Sequence, residues 1–185
     1  MRIVGGSLKG RPLQSPKGMA TRPTTDRTRE SLFNILTHKI DFKNCRTLDL
    51  FAGTGALGLE AISRGSEYCV FIEEASAARG AIRENVEALE LSGVTKVFRR
   101  DATRLGKLGT LKPFDLVFAD PPYRKGFGEK AAQSLLEGKW LNTDAIFILE
   151  EATDVFPENL KGYEVADKRN YGETTIGIFS LTTID

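Results

Sequence analysis

Short apolar runs alternate with segments of helical periodicity from Arg46 onward. The apolar runs predict five strands, at residues 47–51, 68–72, 95–99, 114–119 and 145–149. Apolar spacings of three and four predict helices at 56–64, around 78–89 and near 129–141, with a short irregular helix after the third strand. Two final apolar runs, 163–167 and 174–181, have no convincing helix between them. They predict an antiparallel hairpin at one edge of a sheet.

Strands that alternate with helices are typical of an α/β fold, in which a parallel sheet is covered by helices on both faces. The sequence contains no internal repeat, low-complexity segment or obvious linker. We therefore expect residues 1–185 to form one domain whose core spans 46–185, with an appendage at the N-terminus.

The N-terminal region predicts two small elements. Residues 2–4 and 11–13 flank several glycines and predict a glycine-rich β-hairpin, which gives an arm at 1–20. A helix region is predicted at 21–42, because a turn at 22–26 ends in a helix cap and apolar residues follow at helical spacing. These apolar residues are Leu32, Ile35, Leu36 and Ile40.

Composition narrows the class of protein. The chain is 41% hydrophobic and 28% charged, as in soluble globular proteins, and no run approaches the roughly 18 apolar residues of a membrane span. No secretory signal is recognised, and Cys69 lies in an apolar run typical of a buried thiol in a reducing compartment. We expect a cytoplasmic protein. Cys45 and Cys69 lack metal-ligand spacing, and the single histidine, His38, suits a surface or cap position, so we expect no metal.

The net charge of +1 conceals an asymmetry. Residues 1–29 carry seven basic side chains against Asp26 alone, a charge of +6, so the rest of the chain carries −5. This distribution favours a polyanionic partner that approaches the N-terminus, although a solvated basic tail would look the same. The basic residues are Arg2, Lys9, Arg11, Lys17, Arg22, Arg27 and Arg29.

A glycine-rich segment, 49–58, follows the first predicted strand and contains Gly-x-Gly-x-x-Gly. Glycines at a strand-to-helix turn allow a ligand to approach the backbone, but dinucleotide-binding enzymes share this pattern. A carboxylate at Asp49 would repel a pyrophosphate and favour a ligand with an ammonium and a sulfonium, such as S-adenosylmethionine. The alternative is a buried Asp49 that satisfies the loop backbone.

Two further acids follow predicted strands. Glu73, at the end of the second strand, could accept hydrogen bonds from ribose hydroxyls and so supports an adenosine ligand without identifying the cofactor. Glu74 beside it is expected to be solvated. Asp101, followed by Ala102 after the third strand, could accept from an adenine amino group or could cap a helical turn.

The strongest motif is Asp120-Pro121-Pro122-Tyr123, directly after the fourth strand. Ligands of open α/β sheets bind beyond the carboxyl ends of the strands. Asp120 and the Pro121 carbonyl could both accept from one exocyclic amine, since prolines fix φ and remove backbone donors. Tyr123 could stack on a flipped base. The alternative is a rigid, non-catalytic loop.

This tetrapeptide suits methyl transfer to nitrogen. The lone pair of a ring-conjugated amine is delocalised, and two acceptors would draw the nitrogen toward tetrahedral geometry and stabilise the developing positive charge. The proton leaves afterwards, so no strong general base is required.

These motifs together resemble the RsmD family, the bacterial small-subunit ribosomal RNA guanine-N2 methyltransferases. Asp-Pro-Pro-Tyr is shared by many amino-methyltransferases, whereas the N-terminal run is more specific to this family. Relatives often carry a basic or small residue where this chain has Glu74. The similarity extends over residues 1–6, 9–11, 22–27, 29–36, 49–58, 71–73, 120–123 and 171–174.

The resemblance implies a Rossmann-like, seven-stranded methyltransferase sheet that is mostly parallel with an antiparallel last strand. It implies catalysis around 120–123 and S-adenosylmethionine as cofactor, with Thr24 near the methionine end. The implied cofactor contacts are Asp49, Phe51, Ala52, Gly53, Gly55, Glu73, Asp101 and Ala102.

We therefore expect a monomeric methyltransferase that acts on a guanine of 16S ribosomal RNA, within a small-subunit particle. Adenine-N6 methylation, a nicotinamide-dependent oxidoreductase and a non-catalytic ribosome assembly factor are the alternatives. The expected RNA contacts of the N-terminal region are Arg2, Lys9, Arg11, Lys17, Arg22 and Arg27.

Overall fold

The computed structural model describes residues 1–16 and 25–182. The chain divides into two compact units, residues 1–99 and residues 100–185. The first unit contains α1 (Asp26–Leu36), β1 (Arg46–Leu50), α2 (Ala56–Ser63), β2 (Tyr68–Ile72), α3 (Ser76–Ala88) and β3 (Thr95–Phe98). The second contains β4 (Phe114–Ala119), α4 (Phe127–Glu137), β5 (Leu141–Ala152), β6 (Tyr163–Tyr171) and β7 (Thr174–Leu181).

The described strands form a seven-stranded sheet in the order β3-β2-β1-β4-β5-β7-β6. The predicted α/β fold is therefore confirmed. The predicted antiparallel last strand is also confirmed, because β7 runs antiparallel to both β5 and β6. The prediction of a single domain stays a prediction.

The first unit is built on a parallel sheet in which β1 and β2 are buried on both faces. β1 pairs with β2 and β2 with β3, all parallel, and four consecutive residues of β1 and of β2 are buried. Helix α3 buries the predicted apolar face against this unit, as periodicity indicated. The residues of that face are Ala78, Ile82, Val86 and Leu89.

The N-terminal hairpin differs from the prediction in extent and placement. The two segments pair in antiparallel fashion through the Arg2–Pro12 bridge and through backbone bonds from Ile3 to Arg11 and from Leu13 to Met1, so the hairpin is confirmed, with strands shorter than the predicted 2–4 and 11–13. Ile3 and Leu13 are buried in the first unit's hydrophobic core. The segment is thus a packed part of this unit and not a projecting arm.

Helix α1 begins after Thr25, whose side chain accepts a hydrogen bond from the Thr28 N–H at 3.1 Å. This cap confirms the predicted helix start. Arg29 is buried and donates to Asp26 at 2.9 Å and to the Arg2 carbonyl. One of the seven charges counted at the N-terminus is therefore internally paired and not available to a partner.

The second unit ends in the predicted hairpin. β4 and β5 are parallel, and β7 lies between β5 and the edge strand β6. β6 extends past the predicted end at residue 167 because the polar residues Lys168–Asn170 pair through their backbones with β7. β5 likewise extends beyond the predicted 145–149 at both ends.

The two cysteines and the single histidine lie where the sequence predicted them. Cys45 and Cys69 are buried and are not joined in a disulfide, and His38 is exposed. In residues 1–16 and 25–182, no helix is long and apolar enough to cross a membrane.

Candidate active site

The glycine-rich loop after β1 is a tight turn that leads into α2. The Gly55 N–H donates to the Ala52 carbonyl at 2.7 Å, and the Ala52 N–H donates to the Ile72 carbonyl of β2 at 3.2 Å. Gly53 and Gly55 have φ of 56° and 77°, in the left-handed region that glycine adopts without strain. Phe51, with φ of 55°, adopts the same region without that freedom.

Space around the loop distinguishes two roles for its glycines. Among residues 1–16 and 25–182, a Cβ at Gly53 would meet only the Phe51 carbonyl, at 3.9 Å, so these residues leave the Gly53 backbone open. A Cβ at Gly58 would lie 2.5 Å from the Phe71 ring and 2.6 Å from the Cys69 sulfur. Gly58 therefore permits helix–strand packing, whereas Gly53 leaves room for a ligand to approach the backbone, as a nucleoside-containing cofactor requires.

Asp49 lies beneath this loop, only 2% exposed, and accepts a hydrogen bond from the Gly58 N–H at 2.9 Å. Burial raises the pKa of the Asp49 carboxyl to about 8, against the effect of the Gly58 N–H and with a smaller contribution from Glu73. Burial therefore favours the protonated form of this carboxyl, and a cation placed beside it would favour the charged form. Asp49 thus accepts a backbone N–H of the 49–58 segment, which is the alternative role given above. Its contact with a ligand ammonium stays a prediction.

Glu73 follows β2 and is held by the loop itself. One carboxylate oxygen accepts from the Gly53 N–H at 2.9 Å, and the other accepts from the Ala75 N–H at 2.8 Å. Each oxygen keeps a further lone pair, so the fixed carboxylate retains capacity for hydroxyl donors. Glu74 is exposed, as predicted.

Asp101 caps the short 3-10 turn Ala102–Arg104. It accepts from the backbone N–H of Thr103 at 2.8 Å and from its hydroxyl at 2.6 Å, and Arg104 donates to the other oxygen at 3.1 Å. These bonds, the Thr103 hydroxyl foremost, lower the pKa of Asp101. The capping alternative is therefore confirmed, and contact with an adenine amine stays a prediction.

The Asp120–Tyr123 tetrapeptide directly follows β4, as predicted. Pro121 is buried, Pro122 is exposed, and Asp120 and Tyr123 are half-buried. The Tyr123 hydroxyl donates to Glu150 at 2.6 Å and lies 3.2 Å from the Thr174 hydroxyl. Burial and the bond to Glu150 raise the pKa of Tyr123. The hydroxyl end of the Tyr123 ring is consequently held by Glu150, and part of the side chain remains accessible.

Two adjacent acids at the end of β5 were not predicted as site residues. Glu150 is 8% exposed and holds Tyr123, while Glu151 is 2% exposed and accepts from the Arg124 N–H at 3.1 Å. Arg124 adopts a φ of 63° and pairs with Asp154 at 3.0 Å. The consecutive acids after an otherwise apolar run were the one available sequence signal.

The predicted RNA contacts are only partly described. Lys9 and Arg27 are exposed, Arg11 donates to the Ala88 carbonyl at 2.7 Å, and Arg2 lies 3.5 Å from Asp26. These four side chains lie on the surface of the first unit, where contact with RNA stays a prediction. Lys17, Arg22 and the predicted cofactor contact Thr24 lie outside the described residues.

The predicted site residues form local groups within each unit. Asp49, Gly53 and Glu73 belong to one hydrogen-bonded loop, and Tyr123 is joined to Glu150. Asp101 is bound by its own turn. In the described residues, no three His, Cys, Asp or Glu side chains are arranged to hold a metal ion.

Comparisons with known proteins cover nearly the whole chain. Residues 1–180 match the family described as "Conserved hypothetical protein 95". YlbH of Bacillus subtilis is 36% identical over 182 residues, 97% of this chain and 98% of that protein. Ribosomal RNA small subunit methyltransferase D of Escherichia coli K12 is 38% identical over 154 residues, 83% of this chain and 76% of the relative.

Solved structures support the same relationship. The structure of yhhF from Escherichia coli superposes with a TM-score of 0.83 at 32% identity, and the alignment covers 98% of this chain and 97% of that one. These similarities favour a methyltransferase over a nicotinamide-dependent oxidoreductase, although both classes share the glycine pattern of residues 49–58.

Proposed function

Because the chain belongs to the RsmD family, described as conserved hypothetical protein 95, we propose that it methylates the exocyclic N2 amine of a guanine in 16S ribosomal RNA. The methyltransferase activity follows from the family. The ribosomal RNA substrate is supported by the relative named small subunit methyltransferase D, and the choice of guanine N2 extends the resemblance of the motifs.

The observation that carries this proposal is the bond between Tyr123 and Glu150 at 2.6 Å. A flipped base needs a flat partner in a fixed orientation, and stacking on an aromatic ring contributes about 1–3 kcal/mol. A hydroxyl held by a carboxylate restricts that ring without covering its face. Tyr123 is therefore suited to hold a planar base beside Asp120 in the same loop.

Asp120 and the Pro121 carbonyl are the proposed acceptors for the target amine. The carboxylate and the carbonyl would each accept one N–H, drawing the nitrogen toward a tetrahedral arrangement and exposing its lone pair. They would also stabilise the positive charge that develops on the nitrogen. Since the proton leaves after transfer, neither group has to act as a strong base.

The loop of the first unit is the proposed cofactor site, and its open space at Gly53 fits a ligand that contacts the backbone. S-adenosylmethionine supplies an activated methyl group when bound. Glu73 would accept from ribose hydroxyls, and Asp49 would face the ammonium, which would lower its raised pKa. The remaining proposed contacts are Phe51, Ala52, Gly53, Gly55, Asp101, Ala102 and Thr24.

The proposed partner is a small-subunit particle, which a monomer would approach with its basic N-terminal surface in the cytoplasm. Lys9 and Arg27 are exposed cations of this surface that could meet phosphates. If about four basic residues contact phosphates, log affinity should fall against log salt with a slope of roughly −3.

The test is to incubate the protein with labelled S-adenosylmethionine and small-subunit particles from a strain that lacks it, then to identify the methylated nucleoside by mass and map it. We expect N2-methylguanosine at one position. N6-methyladenosine would instead support the alternative chemistry, and absence of transfer to RNA would contradict the proposal.

Variants of Asp120 test the mechanism in the same assay. Asp120→Ala should reduce the rate at least about a hundredfold, roughly 2.7 kcal/mol of transition-state stabilisation. Asp120→Asn keeps one acceptor and the side-chain shape, so it should fall between Ala and wild type. Asp144→Ala, an exposed acid of the same unit, is the matched control and should leave the rate unchanged.

A further inference from the structure

We propose that Asn85 is a positioning residue that couples the N-terminal segment, residues 1–16, to the cofactor loop. Docking of the segment and binding of the cofactor would then stabilise each other. The inference rests on the proposed cofactor site. The contacts that carry it all lie within the first unit.

Asn85 lies on α3, 1% exposed, with its amide fully used. Its oxygen accepts from the Gln14 N–H at 2.7 Å, and its nitrogen donates to the Gln14 carbonyl at 3.0 Å and to the Thr54 carbonyl at 3.0 Å. Two donors and one acceptor are thus all bonded, which fixes the orientation of the amide. One buried side chain therefore joins two separate backbone segments.

The bond to Thr54 acts on the centre of the glycine-rich loop. Thr54 lies between Gly53 and Gly55, and a planar peptide unit links its carbonyl to the Gly55 N–H. That N–H closes the turn by donating to Ala52 at 2.7 Å. By holding the Thr54 carbonyl, Asn85 also sets the plane of the peptide that closes the loop.

A second contact joins the same segment to α2, the helix that follows the loop. The Val4 N–H donates to Glu60 at 2.8 Å, and Glu60 is fully buried. The hairpin also lies very close to this helix, because a Cβ at Gly6 would be 2.0 Å from the Ser63 carbonyl. The loop, α2, the segment and Asn85 therefore form a closed ring of contacts.

Such a ring of contacts couples the cofactor loop and the N-terminal segment, so that each stabilises the other. If a ligand stabilises the loop in its closed form, the Thr54 carbonyl remains in place for Asn85, and Asn85 remains in place for Gln14. Binding free energies that are coupled through such an element are reciprocal, with typical factors of about 5 to 150. We expect a factor near the lower part of that range, about tenfold, because two buried hydrogen bonds carry the link.

The experiment compares wild type, Asn85→Ala and Asn85→Asp by calorimetry with S-adenosylhomocysteine and by hydrogen exchange. The informative amides are hydrogen-bonded ones in the segment, namely those of Ile3, Gly10, Leu13 and Gln14. In wild type, saturating S-adenosylhomocysteine should slow their exchange about tenfold. In Asn85→Ala, affinity should fall about tenfold and the ligand-dependent slowing should disappear.

Two variants separate this role from general stability. Asn85→Asp has nearly the same shape and can still accept from Gln14, but it cannot donate to Thr54, so it should also lose the ligand-dependent slowing. Ala81→Gly weakens the same helix at a buried position outside the core cluster that holds Ile3 and Leu13, so it should lower overall stability while keeping the slowing.

The proposal is overturned if wild type binds S-adenosylhomocysteine with no change of exchange in residues 1–16, or if both Asn85 variants keep wild-type affinity and slowing. If wild type binds no S-adenosylhomocysteine at all, the proposed cofactor site fails together with the coupling. Calorimetry on wild type therefore tells the two failures apart.

Discussion

Tyr123→Phe removes one oxygen atom and tests whether the tether to Glu150 orients the ring used for base stacking. The hydroxyl lies 2.6 Å from the Glu150 carboxylate and 3.2 Å from the Thr174 hydroxyl, and no other atom of the side chain changes. We expect the protein to fold, to bind cofactor normally and to methylate RNA more slowly.

The structure sets the size of the effect. A hydrogen bond to a charged group contributes about 1.5–3 kcal/mol, which is an upper limit of roughly ten- to a hundredfold in rate. If the freed ring populated its three staggered χ1 wells equally, the oriented fraction would fall only about threefold. Because Tyr123 is half-buried and its packing opposes free rotation, we expect kcat/KM to fall between these limits, by about three- to tenfold.

The decisive assay is a double-mutant cycle with Glu150→Gln, measured as kcat/KM for RNA at saturating S-adenosylmethionine. If Glu150 acts through the Tyr123 hydroxyl, Glu150→Gln should slow the wild type but add nothing in the Tyr123→Phe background. Tyr163→Phe is the matched control, since it deletes another buried hydroxyl of the same unit, which donates to the Ala132 carbonyl at 2.8 Å.

Two results would refute the reasoning. Additive effects of Tyr123→Phe and Glu150→Gln would mean that Glu150 influences transfer by a route other than the tether. A Tyr123→Phe enzyme with wild-type kcat/KM would mean that the ring is oriented without its hydroxyl, and only Tyr123→Ala would then reveal a stacking contribution.

Three further predictions concern the first unit. Because the pKa of Asp49 is raised, the folded protein keeps a proton that the unfolded chain releases above about pH 4. The free energy of unfolding should therefore decrease between about pH 4 and about pH 8. Urea unfolding of Asp49→Asn should show a smaller decrease over the same range. Gly58→Ala would place a methyl 2.5 Å from Phe71 and should lower the free energy of unfolding by about 1–3 kcal/mol in the same assay. Lys9→Gln and Arg27→Gln should each reduce the salt slope of RNA binding by about 1, measured by titration at several salt concentrations.

Sequence periodicity predicted β2 and β4 well because both strands are almost entirely buried. Residues 68–72 and 114–119 match β2 and β4 at both ends, since strands buried on both faces are mostly apolar and polar or turn residues bound them. The ends of β5 and β6 were missed for the converse reason. Glu150 and Glu151 of β5 and Lys168–Asn170 of β6 are polar and pair with β7 through the backbone, which the side-chain pattern does not record.

Local spacing predicted where the candidate site residues lie in the fold, and their roles stay predictions. The glycine loop, Glu73 and the tetrapeptide all lie at strand ends, where an α/β fold collects ligand contacts. Glu150 and Asn85 were not predicted, because their partners are 27 and 31 residues away in sequence and only the folded chain brings them together. The packed N-terminal segment was missed likewise, since glycine and charge there indicated an exposed arm.

The acids predicted to contact ligands share a property that affects how they must be tested. Asp49, Glu73 and Asp101 each accept a backbone N–H from their own loop or turn, so each carboxylate also builds the structure that presents it. Alanine at any of these positions would remove both roles at once, and a lost activity would not tell them apart. The amide of Asn or Gln keeps an acceptor for the backbone while it removes the charge. A variant that retains its unfolding free energy but loses cofactor affinity would therefore assign the charge to the ligand, whereas loss of both would assign it to the loop.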